Sequence, residues 1–159
     1  MPLPLVTIVT PSYNHGRVIR ATIESVLSQD YPHVEYLIVD GGSTDETAAV
    51  AAGYADRLTF VSEPDLGQSD AINKGFRRAR GEIVAWLNSD DVFLPGAISA
   101  AVEALTADPT LGAVYGDGFQ IDEAGKMRSR FDTHPFDLWR LIHVSDYILQ
   151  QTAFFRASA

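Results

Sequence analysis

The sequence contains no cysteine among its 159 residues. Because thiols form disulfides, thiolate zinc sites and cysteine nucleophiles, these three kinds of chemistry are excluded. No apolar run approaches the roughly 20 residues that cross a bilayer. At the start of the chain, no basic segment precedes an apolar stretch as it does in a secretory signal. These absences favour a location in the cytoplasm, with peripheral attachment to the inner face of the membrane left open.

Basic residues are also scarce, with 12 Lys and Arg against 21 Asp and Glu and a formal net charge of −9. A general nucleic-acid-binding surface is therefore disfavoured, because phosphate binding needs clustered cations. The cations that do cluster are Lys74, Arg77, Arg78 and Arg80. This cluster is either a solvated helix face or a place where Lys74 faces a phosphorylated ligand.

Short apolar runs alternate with helix-like periodic segments, and hydrophobic residues make up 46% of the chain. We predict strands at residues 5–10, 34–39, 58–62, 82–87 and 113–115. Helices are predicted at 16–28, from 43 to about 55, at 68–80 and from Pro95. The first strand is expected to stop at Pro11, and the second helix to begin at Ser43, because Ser43 and Glu46 have capping-box spacing.

The later residues predict a hairpin turn at 122–125, a short helix within 134–143 and a strand at 151–155. The whole pattern predicts an α/β fold with a mainly parallel sheet covered by helices on both faces. We expect one domain over residues 1–159. Since no evident finishing element follows residue 155, we interpret the chain as C-terminally truncated or as a fragment of a larger domain.

Polar residues follow the predicted strands at the end where open parallel sheets bind ligands. The four segments are 11–14, Asp40, 63–65 and 88–91. Carboxylates without cysteine favour Mg²⁺ or Mn²⁺ over zinc. Asp90 and Asp91 suffice for such a site if a substrate diphosphate and water complete the coordination. The alternative is that Asp91 caps the helix entered at Pro95, or that both acids are simply solvated.

Other nucleotide and catalytic motifs are missing. There is no Gly-x-Gly-x-x-Gly fingerprint and no Gly-x-x-x-x-Gly-Lys-Ser/Thr loop, so a nicotinamide dehydrogenase and a P-loop ATPase are disfavoured. Ser43 and Ser89 lack a nucleophile elbow. The four histidines show no zinc spacing, and for His15, which precedes a helix, we favour a surface role over contact with a ligand.

Three segments, "TIVTPSYN", "YLIVDGGSTDET" and "EPDLGQSDAINKGFRRARGEIVAWLNSDDVFLPG", resemble in order and spacing the N-terminal half of glycosyltransferase family two. The likeness runs from about residue 5 to 118, and "QQTAFFR" resembles the strand before the acceptor half. The family is inverting, has the Rossmann-like GT-A fold and uses nucleotide-diphospho-sugars. The resemblance therefore implies a nucleotide-sugar-binding part at about 5–118 and an incomplete acceptor-side part at 119–159.

The resemblance also implies roles for individual residues. Pro11, Tyr13 and Asn14 would line the nucleotide pocket, and Asp40 would bind the base, usually uracil. Residues near the base, ribose or phosphates would be Asp65, Asn73 and Lys74. Asp91 would bind Mn²⁺ or Mg²⁺ directly, with Asp90 beside it and oriented to the sugar or ribose.

Two features depart from the family pattern. Asn88 stands where the family often has an acid, which lowers the charge of the metal motif. The family's general base lies in a later acidic motif for which we find no convincing equivalent, so we expect the base to lie beyond Ala159. Asp117, Asp122 and Asp146 are the weak candidates within the chain.

The leading hypothesis is a metal-dependent, inverting glycosyltransferase domain that transfers a sugar from a nucleoside diphosphate, with UDP as the expected nucleotide, to an acceptor hydroxyl. The acceptor would be a glycan, a lipid-linked sugar or a protein. Such an enzyme would act in polysaccharide or cell-envelope biosynthesis. One alternative is a nucleotide-sugar-binding fragment without turnover. Another is a sugar-phosphate nucleotidyltransferase, although "PSYNHGR" replaces the usual Gly-rich start. An apolar face beyond Phe155 would favour self-association.

Overall fold

The computed structural model describes residues 2–122 and 124–159. Within these residues, the strands are β1 (Val6–Ser12), β2 (Val34–Asp40), β3 (Thr59–Ser62), β4 (Ile83–Trp86), β5 (Ala113–Val114), β6 (Gly118–Ile121), β7 (Met127–Phe131) and β8 (Phe154–Arg156). The helices are α1 (Ile19–Leu27), α2 (Thr47–Ala52), α3 (Gln68–Arg78), α4 (Ala97–Ala107), α5 (Leu138–His143) and a 3₁₀ helix at Gln150–Thr152. None of the helices in the described part of the chain is both long and apolar enough to cross a membrane.

The main sheet has six strands in the order β3-β2-β1-β4-β8-β5. The strands β3, β2, β1 and β4 run parallel to one another. Strand β8 is antiparallel to both of its neighbours, β4 and β5. A separate antiparallel hairpin joins β6 and β7. The mainly parallel sheet predicted from the strand–helix alternation is therefore confirmed.

Helices cover both faces of this sheet. On one face, Ile8 of β1 and Ile38 of β2 belong to a cluster with Ile23 of α1 and Val102 of α4. On the other face, Val9 and its neighbours in β2 pack against Ala71 of α3. Because β1 is covered on both faces, all seven of its residues are buried, which fits its β-branched and mostly apolar sequence without charged residues.

Helix α3 approaches the sheet unusually closely at Gly75. A Cβ atom at Gly75 would lie 2.3 Å from Cγ1 of Val9, so only glycine fits there. The buried residues of α3 are Ala71 and Gly75, whereas the larger Ile72 and Phe76 are only partly buried. Small residues therefore form the contact line, because the helix lies too near the strand for larger ones.

The expected end of β1 at Pro11 is wrong, since the strand continues to Ser12 and pairs Pro11 with Val39. The pairing with β4 ends at Val9 and Trp86, so no strand needs the missing N–H of Pro11 on that side. A proline is tolerated in a strand where it faces no ladder partner.

The expected helix start at Ser43 is also wrong, because α2 begins at Thr47. The Ser43 hydroxyl donates to Oδ1 of Asp40 and accepts the backbone N–H of Asn14, so it is not available as an N-cap. Instead, Asp45 Oδ1 accepts the N–H of Thr47 at 3.0 Å. Contacts between loops replaced the local capping box.

Two further helices begin later than expected. A turn in which the His15 carbonyl accepts the N–H groups of Val18 and Ile19 precedes α1. Gly96 has φ +81°, a left-handed conformation that a helix cannot include, so α4 starts at Ala97 rather than at Pro95.

The C-terminal part contains the expected hairpin and short helix. β6 and β7 pair as predicted, although Glu123 in the predicted turn lies outside the described residues. The expected strand at 151–155 begins only at Phe154, because residues 150–152 form a 3₁₀ helix. The N–H groups of Thr152 and Ala153 bond to the carbonyls of Leu149 and Gln150 rather than to a neighbouring strand.

Candidate functional site

The carboxyl ends of the four parallel strands meet along one rim, as the topology predicted. The Gly41 N–H donates to the Ser12 carbonyl at 2.8 Å, and the Glu63 N–H to the Asp40 carbonyl at 2.9 Å. On the other side of β1, the Leu87 N–H donates to the Val9 carbonyl at 2.9 Å. These bonds fix the loops after β1, β2, β3 and β4 against one another.

A cleft of about 610 Å³ runs along this rim. Four of the predicted binding residues line it, namely Pro11, Tyr13, Asp65 and Asp90. The Tyr13 ring is 60% exposed, so one large aromatic surface is open to a ligand. The cleft therefore offers an aromatic platform at one part of its wall and carboxylates at others.

Asn14 holds the wall of the cleft in place. Its Oδ1 accepts the Thr44 N–H at 2.9 Å, and its own N–H donates to the Ser43 hydroxyl at 2.8 Å. Its φ of 55° is left-handed, which asparagine tolerates better than most residues. Asn14 thus joins the β1–α1 loop to the β2–α2 loop, and a direct contact with nucleotide stays a prediction.

Asp40 is fully buried, and both of its carboxylate oxygens are occupied by this chain. Oδ2 accepts the N–H groups of Gly42 and Ser43 at 3.1 and 2.8 Å and the hydroxyl of Ser62 at 2.7 Å. Oδ1 accepts the hydroxyl of Ser43. Four donors therefore surround the carboxylate in this conformation, and the expected contact of Asp40 with a base stays a prediction.

Asp65 lies against the end of β2. A Cβ atom at Gly41 would meet its Oδ2 at 2.6 Å, so the carboxylate fills the space that the glycine leaves. Oδ1 of Asp65 accepts the Gly67 N–H at 2.8 Å. Asp65 also lines the cleft, and its expected contact with the base, ribose or phosphates stays a prediction.

Lys74 belongs to a network of ion pairs on α3. Its ammonium donates to the Pro64 carbonyl at 2.7 Å and lies 3.2 Å from Asp70 and 3.6 Å from Glu63. The cations beside it are also paired, for example Arg78 with Glu63 at 3.3 Å. Neither Lys74 nor the exposed Asn73 lines the cleft, so their expected ligand contacts stay predictions.

Asp90 and Asp91 stand together without a cation. Among the ion pairs between described residues, none includes either of them. Burial raises the pKa of Asp91, and the charge of Asp90 raises it further, although hydrogen bonds from Gln151 and Asn88 oppose the shift. The loop therefore keeps uncompensated negative charge at the rim.

A second and larger cavity, of about 820 Å³, begins on the other side of the acidic pair. Asp90 and Asp91 form its polar end, and its walls are mostly apolar residues of α4, the β6–β7 hairpin and Phe154. Asp90 lines both cavities. The acidic loop is consequently the partition between the cleft and this second space.

The acidic pair fits a hard divalent cation. The described residues contain no cluster of three or more His, Cys, Asp or Glu side chains able to hold a metal, so the protein supplies at most these two carboxylates locally. Sites for Mg²⁺ or Mn²⁺ commonly use one or two carboxylates and complete their coordination with water and phosphate oxygens. An unpaired, partly buried carboxylate gains most from such an ion.

Of the weak candidates for a general base, Asp117 lies nearest the acidic loop, in the wall of the larger cavity. The N–H of Thr133 and the guanidinium of Arg130 lower the pKa of Asp117 to about 2. So weak a base accepts a proton poorly at neutral pH. Asp122 is paired with Arg128 at 2.7 Å, and Asp146 accepts the Ile148 N–H at 3.0 Å.

Five residues at or near the rim were missed as site residues, namely His15, Gln68, Ser89, Gln150 and Gln151. His15, Gln68 and Ser89 line the cleft, and His15 Nδ1 is hydrogen-bonded to the hydroxyl of Ser89. Gln150 and Gln151 reach the acidic loop from the 3₁₀ helix. Two adjacent glutamines before an apolar strand were the visible signal, but nothing local showed that they meet residues 88–91.

The relatives found among known proteins include several that are named glycosyltransferases. An uncharacterized glycosyltransferase of Mycobacterium tuberculosis is 31% identical over 158 residues, which cover 98% of this chain and 60% of the relative. One from Rickettsia prowazekii is 35% identical over 102 residues, covering 64% of this chain and 32% of the relative. The chain thus spans less than two thirds of each of these proteins.

Solved structures show the same fold. The mannosyltransferase PcManGT from Pyrobaculum calidifontis, in complex with GDP-Man and Mn²⁺, is 28% identical with a TM-score of 0.72, over 98% of this chain and 45% of that one. TarS 1–349 of S. aureus, in complex with UDP-GlcNAc, is 20% identical with a TM-score of 0.76, over 97% of this chain and 46% of that one. These likenesses confirm the expected GT-A fold.

The family profile covers almost the whole sequence. The model of the family described as "Glycosyl transferase family 2" matches residues 7–159. This match includes all four rim segments and the 3₁₀ helix that reaches the acidic loop. The chain therefore belongs to glycosyl transferase family 2.

Proposed function

We propose that this chain is the donor-binding part of a glycosyltransferase that moves a sugar from a nucleoside diphosphate to an acceptor hydroxyl with inversion. In this proposal, residues of about 5–118 bind the nucleotide-sugar, and residues 119–159 begin the acceptor side. The observation that carries it is the cation-free pair Asp90 and Asp91 at the partition between two cavities. Sugar transfer needs the donor and the acceptor to meet at one point, and Asp90 lies in the lining of both cavities.

The cleft fits the nucleotide end of the donor. Tyr13 offers an exposed ring on which a base can stack, and Asp65 offers a carboxylate that can accept an N–H from the base edge. PcManGT was solved with GDP-Man and TarS with UDP-GlcNAc, so both nucleotides are tested below. A carboxylate can accept the imide N3–H of uracil and the N1–H of guanine alike.

The acidic loop fits the diphosphate end through a divalent metal. Asp91, with Asp90 beside it, would hold Mn²⁺ or Mg²⁺, and the ion would stabilise the negative charge that develops on the leaving diphosphate. The complex of PcManGT with Mn²⁺ supports this proposal. Asp90 also lines the cleft, which suits a contact with the sugar or ribose.

The test is calorimetric titration of the chain with UDP and with GDP, each with Mn²⁺ and with EDTA. We expect one of the two nucleotides to bind at least about 10-fold more tightly in Mn²⁺, and the Asp91→Ala chain to lose that gain. The folded state of the variant is checked by circular dichroism. Equal affinity in Mn²⁺ and EDTA, or an unchanged Mn²⁺ gain in Asp91→Ala, would overturn the site assignment.

A second candidate is a nucleotide-sugar-binding chain without turnover. The low pKa of Asp117 favours it, because this carboxylate in the larger cavity is a poor base. Donor hydrolysis and sugar transfer to simple acceptors are measured with this chain and with a longer one. Transfer at similar rates by both would exclude this candidate. The nucleotidyltransferase alternative gains no support from the family match.

A further inference from the structure

Uncharged amide groups surround the acidic loop. Gln68, at the start of α3, donates from Nε2 to Oδ1 of Asn88 at 2.7 Å. Asn88 in turn donates from Nδ2 to Oδ2 of Asp91 at 3.0 Å. Because both ends of the Asn88 amide are occupied, its orientation is fixed, with the donor group towards Asp91.

The 3₁₀ helix supplies the other half of this network through Gln150. The Gln150 Nε2 donates to the Trp86 carbonyl at 2.6 Å, while its Oε1 accepts from Asn88 Nδ2 at 3.3 Å. β8 pairs with β4 only at Ile83 and Val84, so the Trp86 carbonyl lies beyond the ladder. The side-chain amide of Gln150 takes the place of the missing strand.

Gln151, the next residue of the 3₁₀ helix, lines the larger cavity together with Asp90 and Asp91. Burial raises the pKa of Asp91, and the Gln151 side chain opposes that shift. The hydrogen bonds that reach the Asp91 carboxylate run from Gln150 through Asn88, and Gln151 lies beside them.

The side-chain groups around Asp91 are uncharged amides, and this affects how the carboxylate can bind a metal. An Arg or Lys at the same positions would neutralise Asp91 and compete with a divalent cation. Amides instead direct the carboxylate oxygens and leave the negative charge in place. Outer partners of metal-binding carboxylates commonly act in this way. The replacement of a family acid by Asn88 then supplies a donor group where an acid would add a repelling charge.

We propose that Gln150 and Gln151 are positioning residues that orient the Asp91 carboxylate for a divalent metal and so couple the acceptor-side segment to the donor site. This inference rests on the proposed function, since it needs the metal at Asp91. It assigns to the "QQ" pair a role that is distinct from packing of the following strand. Gln151 acts on Asp91 directly, whereas Gln150 acts through Asn88.

The test compares Gln150→Met and Gln151→Met, which keep side-chain length and remove the amide. Mn²⁺ affinity is measured in saturating nucleotide from the electron paramagnetic resonance signal of free Mn²⁺, and nucleotide affinity is measured in EDTA. We expect Gln151→Met to weaken Mn²⁺ binding about 10-fold and Gln150→Met about 3-fold. Nucleotide affinity in EDTA should stay unchanged in both variants.

The matched control is Gln29→Met. The Gln29 amide donates to the Ser25 and Leu94 carbonyls and accepts the Ile98 N–H, so its removal costs similar hydrogen bonds away from Asp91. We expect it to lower the melting temperature without changing Mn²⁺ affinity. Loss of Mn²⁺ affinity in Gln29→Met equal to that in Gln151→Met would show a general stability effect and overturn the proposal.

A double-mutant cycle separates this inference from the proposed function. In an Asp91→Asn background, Gln151→Met should change Mn²⁺ affinity no further, because the two residues act as one unit. An additive loss overturns the positioning role while the Asp91 site stands. Unchanged Mn²⁺ affinity in Gln151→Met alone does the same. If the unaltered chain shows no Mn²⁺-dependent binding, the proposed function fails and this inference fails with it.

Discussion

Two carboxylates lie on the same rim of the parallel sheet, Asp40 at the end of β2 and Asp91 in the loop after β4, but their surroundings are opposite. Asp40 receives four hydrogen bonds from backbone N–H and hydroxyl groups and is fully buried. Asp91, in the loop after β4, is partly buried, has a pKa raised by burial, and accepts the side-chain amide of Asn88 at 3.0 Å. The sheet places both acids, and their immediate donors decide what each can do.

This contrast separates a carboxylate already held by donors of this chain from one that keeps uncompensated charge. Asp40 joins the β2–α2 loop to Ser62 of β3, and its expected contact with a base stays a prediction. Asp91 keeps charge that the fold does not compensate, and such charge is retained at functional sites more often than elsewhere. The distinction can be tested by removing each acid in turn.

The largest expected effect belongs to Asp40→Ala. Four donor groups, on half-buried Gly42 and Ser43 and on exposed Ser62, would lose their buried acceptor, so we expect the free energy of unfolding to fall by about 3 kcal/mol. Urea denaturation measures the change. Asp40→Asn, which keeps one acceptor oxygen, should lose less, and Asp56→Ala on an exposed turn should change stability by under about 0.5 kcal/mol. A loss below about 1 kcal/mol would remove the contrast with Asp91.

Asp91→Asn should show the reverse pattern. We expect Mn²⁺-dependent nucleotide affinity to fall about 100-fold, more than for a typical outer partner. The free energy of unfolding at neutral pH should stay the same or rise. Because burial raises the pKa of Asp91, the folded state binds its proton more tightly than the unfolded state, so stability falls as pH rises from about 4 through the raised value.

The pH profile of stability checks this sign. The unaltered chain should lose stability across that interval in the absence of metal, and Asp91→Asn should not. Asp56→Asn serves as the control, since its carboxylate is exposed on a turn. If the pH profile of stability is the same for Asp91→Asn as for the unaltered chain, Asp91 is not the carboxylate that causes the loss of stability.

A smaller effect is expected from Gly41→Ala at the end of β2. The new Cβ would meet Oδ2 of Asp65 at 2.6 Å, and the flexible carboxylate would turn away at a stability cost under about 1 kcal/mol. Nucleotide affinity in EDTA should fall about 3- to 10-fold, because Asp65 would lose its place in the cleft. In an Asp65→Ala background the same substitution should have no further effect; a full additional loss would mean that Gly41 itself contacts the ligand.

The smallest effect concerns Asp117, a carboxylate whose pKa moves in the direction opposite to that of Asp91. The Thr133 N–H and Arg130 lower the pKa of Asp117 to about 2, so its contribution to stability is present above about pH 4 and is lost as pH falls towards 2. Protection factors of the β6–β7 amides, which correct for the pH dependence of intrinsic exchange, should fall across that interval in the unaltered chain. In Asp117→Asn, protection should already be lower at pH 5 and should change less with acid; identical protection profiles would contradict this account.

Much of the sheet could be predicted because buried parallel strands are rich in β-branched and apolar residues. β1, β2 and β4 were recognisable for this reason, and the convergence of their ends followed from the topology. The errors arose where distant contacts replaced local ones. Ser43 has the spacing of a capping box, but its hydroxyl serves Asp40 and Asn14 instead.

The difference between Asp40 and Asp91 could not be predicted for the same reason. Asp40 is saturated partly by Ser62, which is 22 residues away, and the Asn88 amide beside Asp91 is held by Gln150, which is 62 residues away. A sequence pattern shows which residues follow a strand but not which donors reach them across the fold. The role of the two glutamines is therefore visible only in three dimensions.

The position of β8 has a consequence for the order in which the chain matures during synthesis. β8 lies between β4 and β5, although residues 154–156 are made about 70 residues after β4 and 40 after β5. Domains begin to fold while the ribosome still adds residues. The strands β1 to β4 can pair as they emerge. Strand β5 can pair only after β8 has been made, and the acidic loop can reach its final arrangement only after Gln150 and Gln151 have been made. The nucleotide cleft is thus an early product of folding, and the orientation of Asp91 is among the last.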